Sequence, residues 1–194
     1  MSFKKWNAIL IDHNDSFTHN VKSWLSQDFA VQIINYDELE FSSIENWIEN
    51  FDLFVFSPGP KNPIDYPNSL KLISKIYSKK AILGICLGLQ LIIHFYEGKV
   101  APYQPPVHGK KSCLKSIDTS FNSIQGLNVG RYHSLFCISK SDSLKLVAVT
   151  QKDEMPMIFF DEKAKIMGYQ FHPESFLTDD GNTFLKLVIQ KLLE

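Results

Sequence analysis

The sequence is poor in the features that most directly assign a function. Its three cysteines are odd in number and widely spaced, which argues against a disulfide framework and for a reducing compartment. Charge of one sign is not in excess: 20 basic residues face 21 acidic ones, so no global field draws the chain to nucleic acid or to an anionic membrane. Apolar runs are all too short to span a bilayer, and the one in MSFKKWNAILID is too brief for a signal peptide, so a cytoplasmic protein is expected. Repeats, low-complexity segments and domain linkers are missing. So are metal-ligand spacing and a phosphate-binding loop, and no cofactor is expected on this chain. What remains is 194 residues, suited to one domain over 1–194 that buries its core without disulfides or metal.

The pattern alternates strand and helix. Asn7 to Asp12 reads as a strand, and the following helix, capped by Asp15 or Ser16, carries Phe17, Val21, Trp24 and Leu25 on one face. Ala30 to Asn35 is a second strand, Ser43 to Phe51 a short helix, and Asp52 to Phe56 a third strand that stops at SPGP. A helix within Tyr66 to Lys79 leads to Ala81, Ile82, Leu83 and Ile85, a buried strand. From Val100 onward the runs are mostly short and strand-like: Ser112 to Ile117, a glycine-bounded segment Gly126 to Gly130, Leu144 to Thr150, Met157 to Phe160 and Ile166 to Phe171. Pro156 marks the strand it precedes as a candidate edge. A helix from Gly181 to Leu193 closes the chain. The fold class is therefore α/β: a single domain with a central, mostly parallel sheet flanked by helices, and additional short strands in the second half.

The chemistry centres on LGICLGLQ, Leu83 to Gln90. Leu89, Ile92, Ile93 and Tyr96 fall at helical spacing, so Cys86 sits where a buried strand turns into a helix, between Gly84 and Gly88. Such a turn needs unusual backbone angles and close packing. A thiol there meets unpaired N–H groups and the positive end of the helix dipole, which favour the thiolate and can hold an oxyanion. Cys113 and Cys137 lack this setting and read as small buried hydrophobes. His13, His19 and His94 read as structural or exposed. His172 differs, because it ends a buried strand and has Glu174 at i+2, on the same side of an extended segment, with Pro173 stiffening the pair. Cys86 as nucleophile, His172 as base and Glu174 as orienter form a triad for acyl transfer. The N–H groups of Leu87 and of Gly59, in the SPGP turn at the same sheet edge, would bind the oxyanion. Taken alone, SPGP equally fits a rigid surface turn, HGK (His108 to Lys110) a solvated turn, and RYHSL (Arg131 to Leu135) a strand with one exposed basic residue. No substrate follows from these residues.

LGICLGLQ, SPGP and GYQFHPES together resemble the class I (triad) glutamine amidotransferases. DSFT (Asp15 to Thr18), HGK and RYHSL resemble one branch, the glutaminase subunits of anthranilate synthase and aminodeoxychorismate synthase, over essentially the whole chain. The resemblance implies that L-glutamine is hydrolysed to glutamate through a thioester, and that ammonia passes to a chorismate-using synthase subunit (component I), the protein partner. It gives Cys86, His172 and Glu174 the triad, and Gly59, Leu87, Gln90, Ser134 and Leu135 the glutamine contacts. It makes His108, Lys110, Arg131 and Tyr132 candidates for interface or support, and allows a magnesium requirement in the synthase. Leu89, His13, Asn14 and Lys61 depart from the family pattern, with loop shape and partner contact in question at Lys61. Two other readings stay open: a stand-alone amidohydrolase or γ-glutamyl hydrolase with the same triad, and a catalytically idle docking module. The sequence does not choose between anthranilate and aminodeoxychorismate.

Overall fold

A computed structural model describes residues 6–194; the opening residues of the start segment lie outside the described part. In chain order the strands are β1 (Trp6–Asp12), β2 (Phe29–Asn35), β3 (Leu53–Phe56), β4 (Ala81–Ile85), β5 (Lys99–Ser116), β6 (Asn128–Ile138), β7 (Lys145–Thr150), β8 (Pro156–Asp161) and β9 (Ile166–Tyr169). The α-helices are α1 (Thr18–Leu25), α2 (Ile44–Asn50), α3 (Pro67–Ile76), α4 (Leu87–Phe95) and α5 (Gly181–Leu192). The strands form one nine-stranded sheet in the order β2-β1-β3-β4-β9-β8-β7-β5-β6. From β2 to β9 every pairing is parallel. From β9 to β6 every pairing is antiparallel, which accounts for the strand-rich second half. The fold is the α/β class expected from the alternation.

The parallel strands read as unbroken apolar runs because both faces are covered. Ala8 and Leu10 of β1, Val55 of β3 and Leu83 of β4 face α1 and α5, where Val21, Trp24, Phe184 and Val188 pack. The alternate residues Ile9, Ile11, Phe54, Phe56 and Ile82 face α2, α3 and α4, through Trp47, Leu72, Ile73 and Ile92. Buried apolar area at roughly 25 cal/mol per Å² makes these two layers the main stabilising contribution. They also fix the register that brings Asp12, Phe56, Ile85 and Tyr169 to one carboxyl edge.

Three local expectations need correction. Asp15 does not cap α1: its Oδ1 accepts the Phe17 N–H at 2.8 Å, one residue before the helix, which begins at Thr18 with no side-chain cap. Pro156 does not mark an edge, since β8 lies between β9 and β7; as the first residue of its strand it has no ladder N–H to forfeit. The strand expected over Ser112 to Ile117 is the end of an 18-residue strand. Its first part forms a long ribbon with β6, with register shifts between Pro102 and Val107 and between His108 and Lys110.

Candidate active site

Cys86 joins β4 to α4 with φ 53° and ψ −101°, a conformation that non-glycine residues adopt only when their surroundings impose it. Its N–H donates to the Tyr169 carbonyl at 2.7 Å, and its own carbonyl accepts the Gln90 N–H at 3.1 Å. The unusual angle thus falls on the cysteine itself. The flanking glycines serve close approach: a Cβ on Gly88 would lie 2.1 Å from the Phe56 carbonyl oxygen, and one on Gly84 2.4 Å from the Gly88 carbonyl. Helix and strand therefore meet more closely than any side chain permits.

His172 lies just beyond β9 and is held by its backbone. Its N–H donates to the Gly130 carbonyl of β6 at 3.0 Å, and its carbonyl accepts the Thr178 hydroxyl at 2.6 Å. Thr178 also accepts the Gly130 N–H at 3.0 Å, so one hydroxyl ties the turn to the ribbon. His172 and Glu174 meet as expected, with Nδ1 2.7 Å from Oε1, but not through an extended segment. The chain turns there, closed by the Ser175 N–H donating to the His172 carbonyl at 3.2 Å.

Both side chains of this pair are buried, and the second Glu174 oxygen, Oε2, has no partner. A buried carboxylate so placed depends on a cation for compensation. Burial opposes charge on the ring, but the Cys86 thiol and Glu174 outweigh it and hold the His172 pKa up at about 10. Nε2 is buried and makes no geometrically complete hydrogen bond, which leaves it as the ring atom facing the thiol. The ring is packed by Phe17 and Tyr132, with centroids at 5.0 and 5.1 Å, and the Tyr132 hydroxyl lies 3.0 Å from Ser175 Oγ. Phe17 and Tyr132 belong to DSFT and RYHSL, so both motifs converge on the imidazole.

Gly59 follows β3 and presses against two neighbours. An added Cβ would lie 2.5 Å from Leu87 Cδ2 and 2.7 Å from His13 Cβ. Leu87 is the first residue of α4, so its N–H has no intrahelical acceptor. His13 supports this loop from below: its ring nitrogens lie 3.0 Å from Ser57 Oγ and 2.9 Å from Ser69 Oγ, and burial lowers its pKa to about 4, leaving it neutral. Lys61 and Asn14 are exposed, both at positive φ, and Leu89 is fully buried against Gly168.

The remaining expected residues divide. Gln90 is buried in the first turn of α4. Ser134, exposed, and Leu135, half-buried, follow Tyr132 on β6, and the Leu135 carbonyl accepts from His133 Nδ1 at 2.7 Å. His108 and Lys110 are exposed on β5, paired with Tyr132 and Arg131. Arg131 is not an exposed basic residue: it is 3 % exposed, donates from Nε to His133 Nε2 at 3.0 Å and from Nη1 to Ser112 Oγ at 3.1 Å. Burial, and next the Arg131 charge, lower the His133 pKa to about 4. A cleft of about 550 Å³ on the ribbon is lined by Tyr103, Lys110, Arg131 and Asp153, apart from Cys86.

With this geometry in hand, the profile of the family described as "Glutamine amidotransferase class-I" matches residues 9–192. The chain belongs to the class-I glutamine amidotransferases. Within that family it is 36 % identical over 181 residues to "Anthranilate synthase component 2" of Helicobacter pylori, covering 91 % of this chain and 92 % of the relative. It is 35 % identical over 193 residues to the protein of the same name from Vibrio parahaemolyticus, covering 97 % of each. The crystal structure of a Thermotoga maritima glutamine amidotransferase shares the fold with a TM-score of 0.70 at 19 % identity, over 87 % of this chain and 76 % of that one. A Thermoplasma acidophilum protein provisionally described as part of a GMP synthase is similar in fold as well, with a TM-score of 0.80 at 21 % identity, over 97 % of this chain and 94 % of that one. This amidotransferase is thus like anthranilate synthase component 2 along its length. Among the described residues no helix is long and apolar enough to cross a membrane.

Proposed function

We propose that this chain is a glutaminase subunit that hydrolyses L-glutamine through a Cys86 thioester and passes ammonia to a chorismate-using synthase subunit. The observation that carries this is the junction at one sheet edge of Cys86, at positive φ before α4, with a buried His172–Glu174 pair. At neutral pH a ring with a pKa near 10 carries its proton beside the sulfur, so the acid needed for the leaving group is already in place. The sulfur attacks the amide carbon of glutamine, and the N–H groups of Gly59 and Leu87 receive the oxyanion. Each such donor contributes roughly two to three powers of ten in rate. His172 gives its proton to the departing ammonia, then takes one from the water that cleaves the thioester. Glu174 keeps the proton on Nδ1 and balances the ring's charge. Gln90, Ser134 and Leu135 would contact the amino and carboxylate groups of glutamine. None of these steps calls for a cofactor on this chain.

The names of the relatives favour anthranilate as the product of the complex, with aminodeoxychorismate as the second reading. The test is glutamine-dependent amination of chorismate with each candidate synthase subunit. Wild type is expected to support it and Cys86→Ala only when free ammonia is added. Loss of glutamine-dependent product with every synthase subunit, or full activity in Cys86→Ala, would overturn the proposal.

A further inference from the structure

Gln170 is a buried polar side chain at this edge that the scheme above leaves without a role. It follows β9 directly, is fully buried, and its backbone N–H is taken by the Met157 carbonyl at 2.9 Å. Its side-chain amide bridges two sulfurs. Nε2 donates to Cys86 Sγ at 3.8 Å, and Oε1 accepts from the Cys137 thiol at 3.4 Å. The direction of this relay is set by its far end. Cys137 is fully buried on β6, and desolvation, with Cys86 adding to it, pushes its thiol well above the usual range, so it keeps its proton. The Cys137 S–H donates to the amide oxygen, which can only accept, and in that arrangement the NH₂ group is turned toward Cys86.

We propose that Gln170 is a positioning residue for the nucleophile: its amide, oriented by Cys137, holds the Cys86 sulfur from the β9 side and favours its unprotonated form. The inference rests on reading Cys86 as the nucleophile. An N–H group can only donate, so it stabilises a thiolate more than a thiol, which must point its own hydrogen elsewhere. The relay also has a direction in the fold. Cys137 lies two residues beyond Leu135, so the bridge links the strand expected to contact glutamine, through β9, to the sulfur that attacks it.

The experiment uses the full chain with its synthase subunit. It compares Gln170→Leu, Gln170→Glu, Cys137→Ala and Cys137→Ser with wild type. The readouts are the rate of Cys86 alkylation by iodoacetamide against pH, resolved by peptide mass, together with glutaminase kcat and KM and thermal unfolding. Gln170→Leu is expected to move the pH profile of Cys86 alkylation about one unit higher, so that rates on its acid limb fall about tenfold, the usual scale for a lost hydrogen bond to a charged group. It should also lower kcat with KM little changed. Gln170→Glu, with an acceptor in place of the donor, should be slower still. Cys137→Ser keeps a donor toward Gln170 and should approach wild type, while Cys137→Ala falls below it. A folded Gln170→Leu with a wild-type alkylation profile overturns the proposal. If Gln170→Leu does not fold, equal rates for Cys137→Ser and Cys137→Ala overturn it instead. Failure of wild-type Cys86 to react with a diazo-ketone analogue of glutamine would overturn the nucleophile reading itself, and the inference with it.

Discussion

Replacing Gly59 by alanine tests how the two oxyanion donors are spaced. The added Cβ would stand 2.5 Å from Leu87 Cδ2 on one side and 2.7 Å from His13 Cβ on the other. Ordinary carbon contacts are about 3.5–4.0 Å, so something must move by about 1 Å. His13 has little freedom, being fully buried with its ring between Ser57 and Ser69. Leu87 is also packed, at 1 % exposure. The SPGP turn is therefore the part that yields, and it carries the Gly59 N–H with it. Displacement of this size costs on the order of a hundredfold in rate when the group acts on the transition state. The overpacking itself should cost about 1–3 kcal/mol of stability. Steady-state glutaminase assays of the complex should show kcat down about a hundredfold with KM nearly unchanged, and amination from free ammonia intact. A Gly59→Ala protein that is folded and keeps wild-type kcat would refute the placement of the oxyanion site between this turn and α4.

Glu174→Gln removes one of the two groups that raise the His172 pKa, the other being the Cys86 thiol. The folded pKa of about 10 lies above the ordinary 6.5, so the ring's stabilising contribution is complete below pH 6.5 and is lost as pH rises through 10. The wild-type advantage in Tm over this variant should accordingly shrink across that window, and the alkaline limb of kcat should move to lower pH; parallel curves would contradict this. Arg131→Ala should destabilise by about 3 kcal/mol in denaturant titration, because it strips His133 and Ser112 of a buried partner. A value near zero would place Arg131 at the surface. Tyr132→Phe should cost about 1 kcal/mol through its bond to Ser175, with kcat altered less than by Tyr132→Ala, which unpacks the His172 ring. Equal kcat values for the two variants would remove the ring from the account.

The fold, and the convergence of Cys86 with the His172–Glu174 pair at one sheet edge as a candidate site, are legible in the sequence where local physics is strong. Buried parallel strands are short apolar runs, and the run ending at Ile85 was followed at once by the helical stripe of α4. Cys86 stands out because a glycine lies two residues away on either side, although the structure uses Gly84 and Gly88 for close packing and places the strained angle on the cysteine. Other features depended on contacts between distant segments. Phe17 and Tyr132 are 115 positions apart yet pack on one ring, and no local pattern announces that. Arg131 and Gln170 look like ordinary polar strand residues until the ribbon and β9 bury them. The ribbon itself was missed in length because β5 is largely exposed, so no alternation marks it. His172 and Glu174 were paired correctly for the wrong reason, because proline stiffens a turn as readily as an extended segment.

The central claim is a covalent γ-glutamyl intermediate on Cys86. The complex, mixed with glutamine and chorismate, would be quenched in acid within one turnover and digested, and the Cys86 peptide weighed. A hydroxylamine-sensitive glutamyl adduct is expected on that peptide, absent from the peptides carrying Cys113 and Cys137. Turnover of glutamine at full rate with Cys86 replaced by alanine would contradict it.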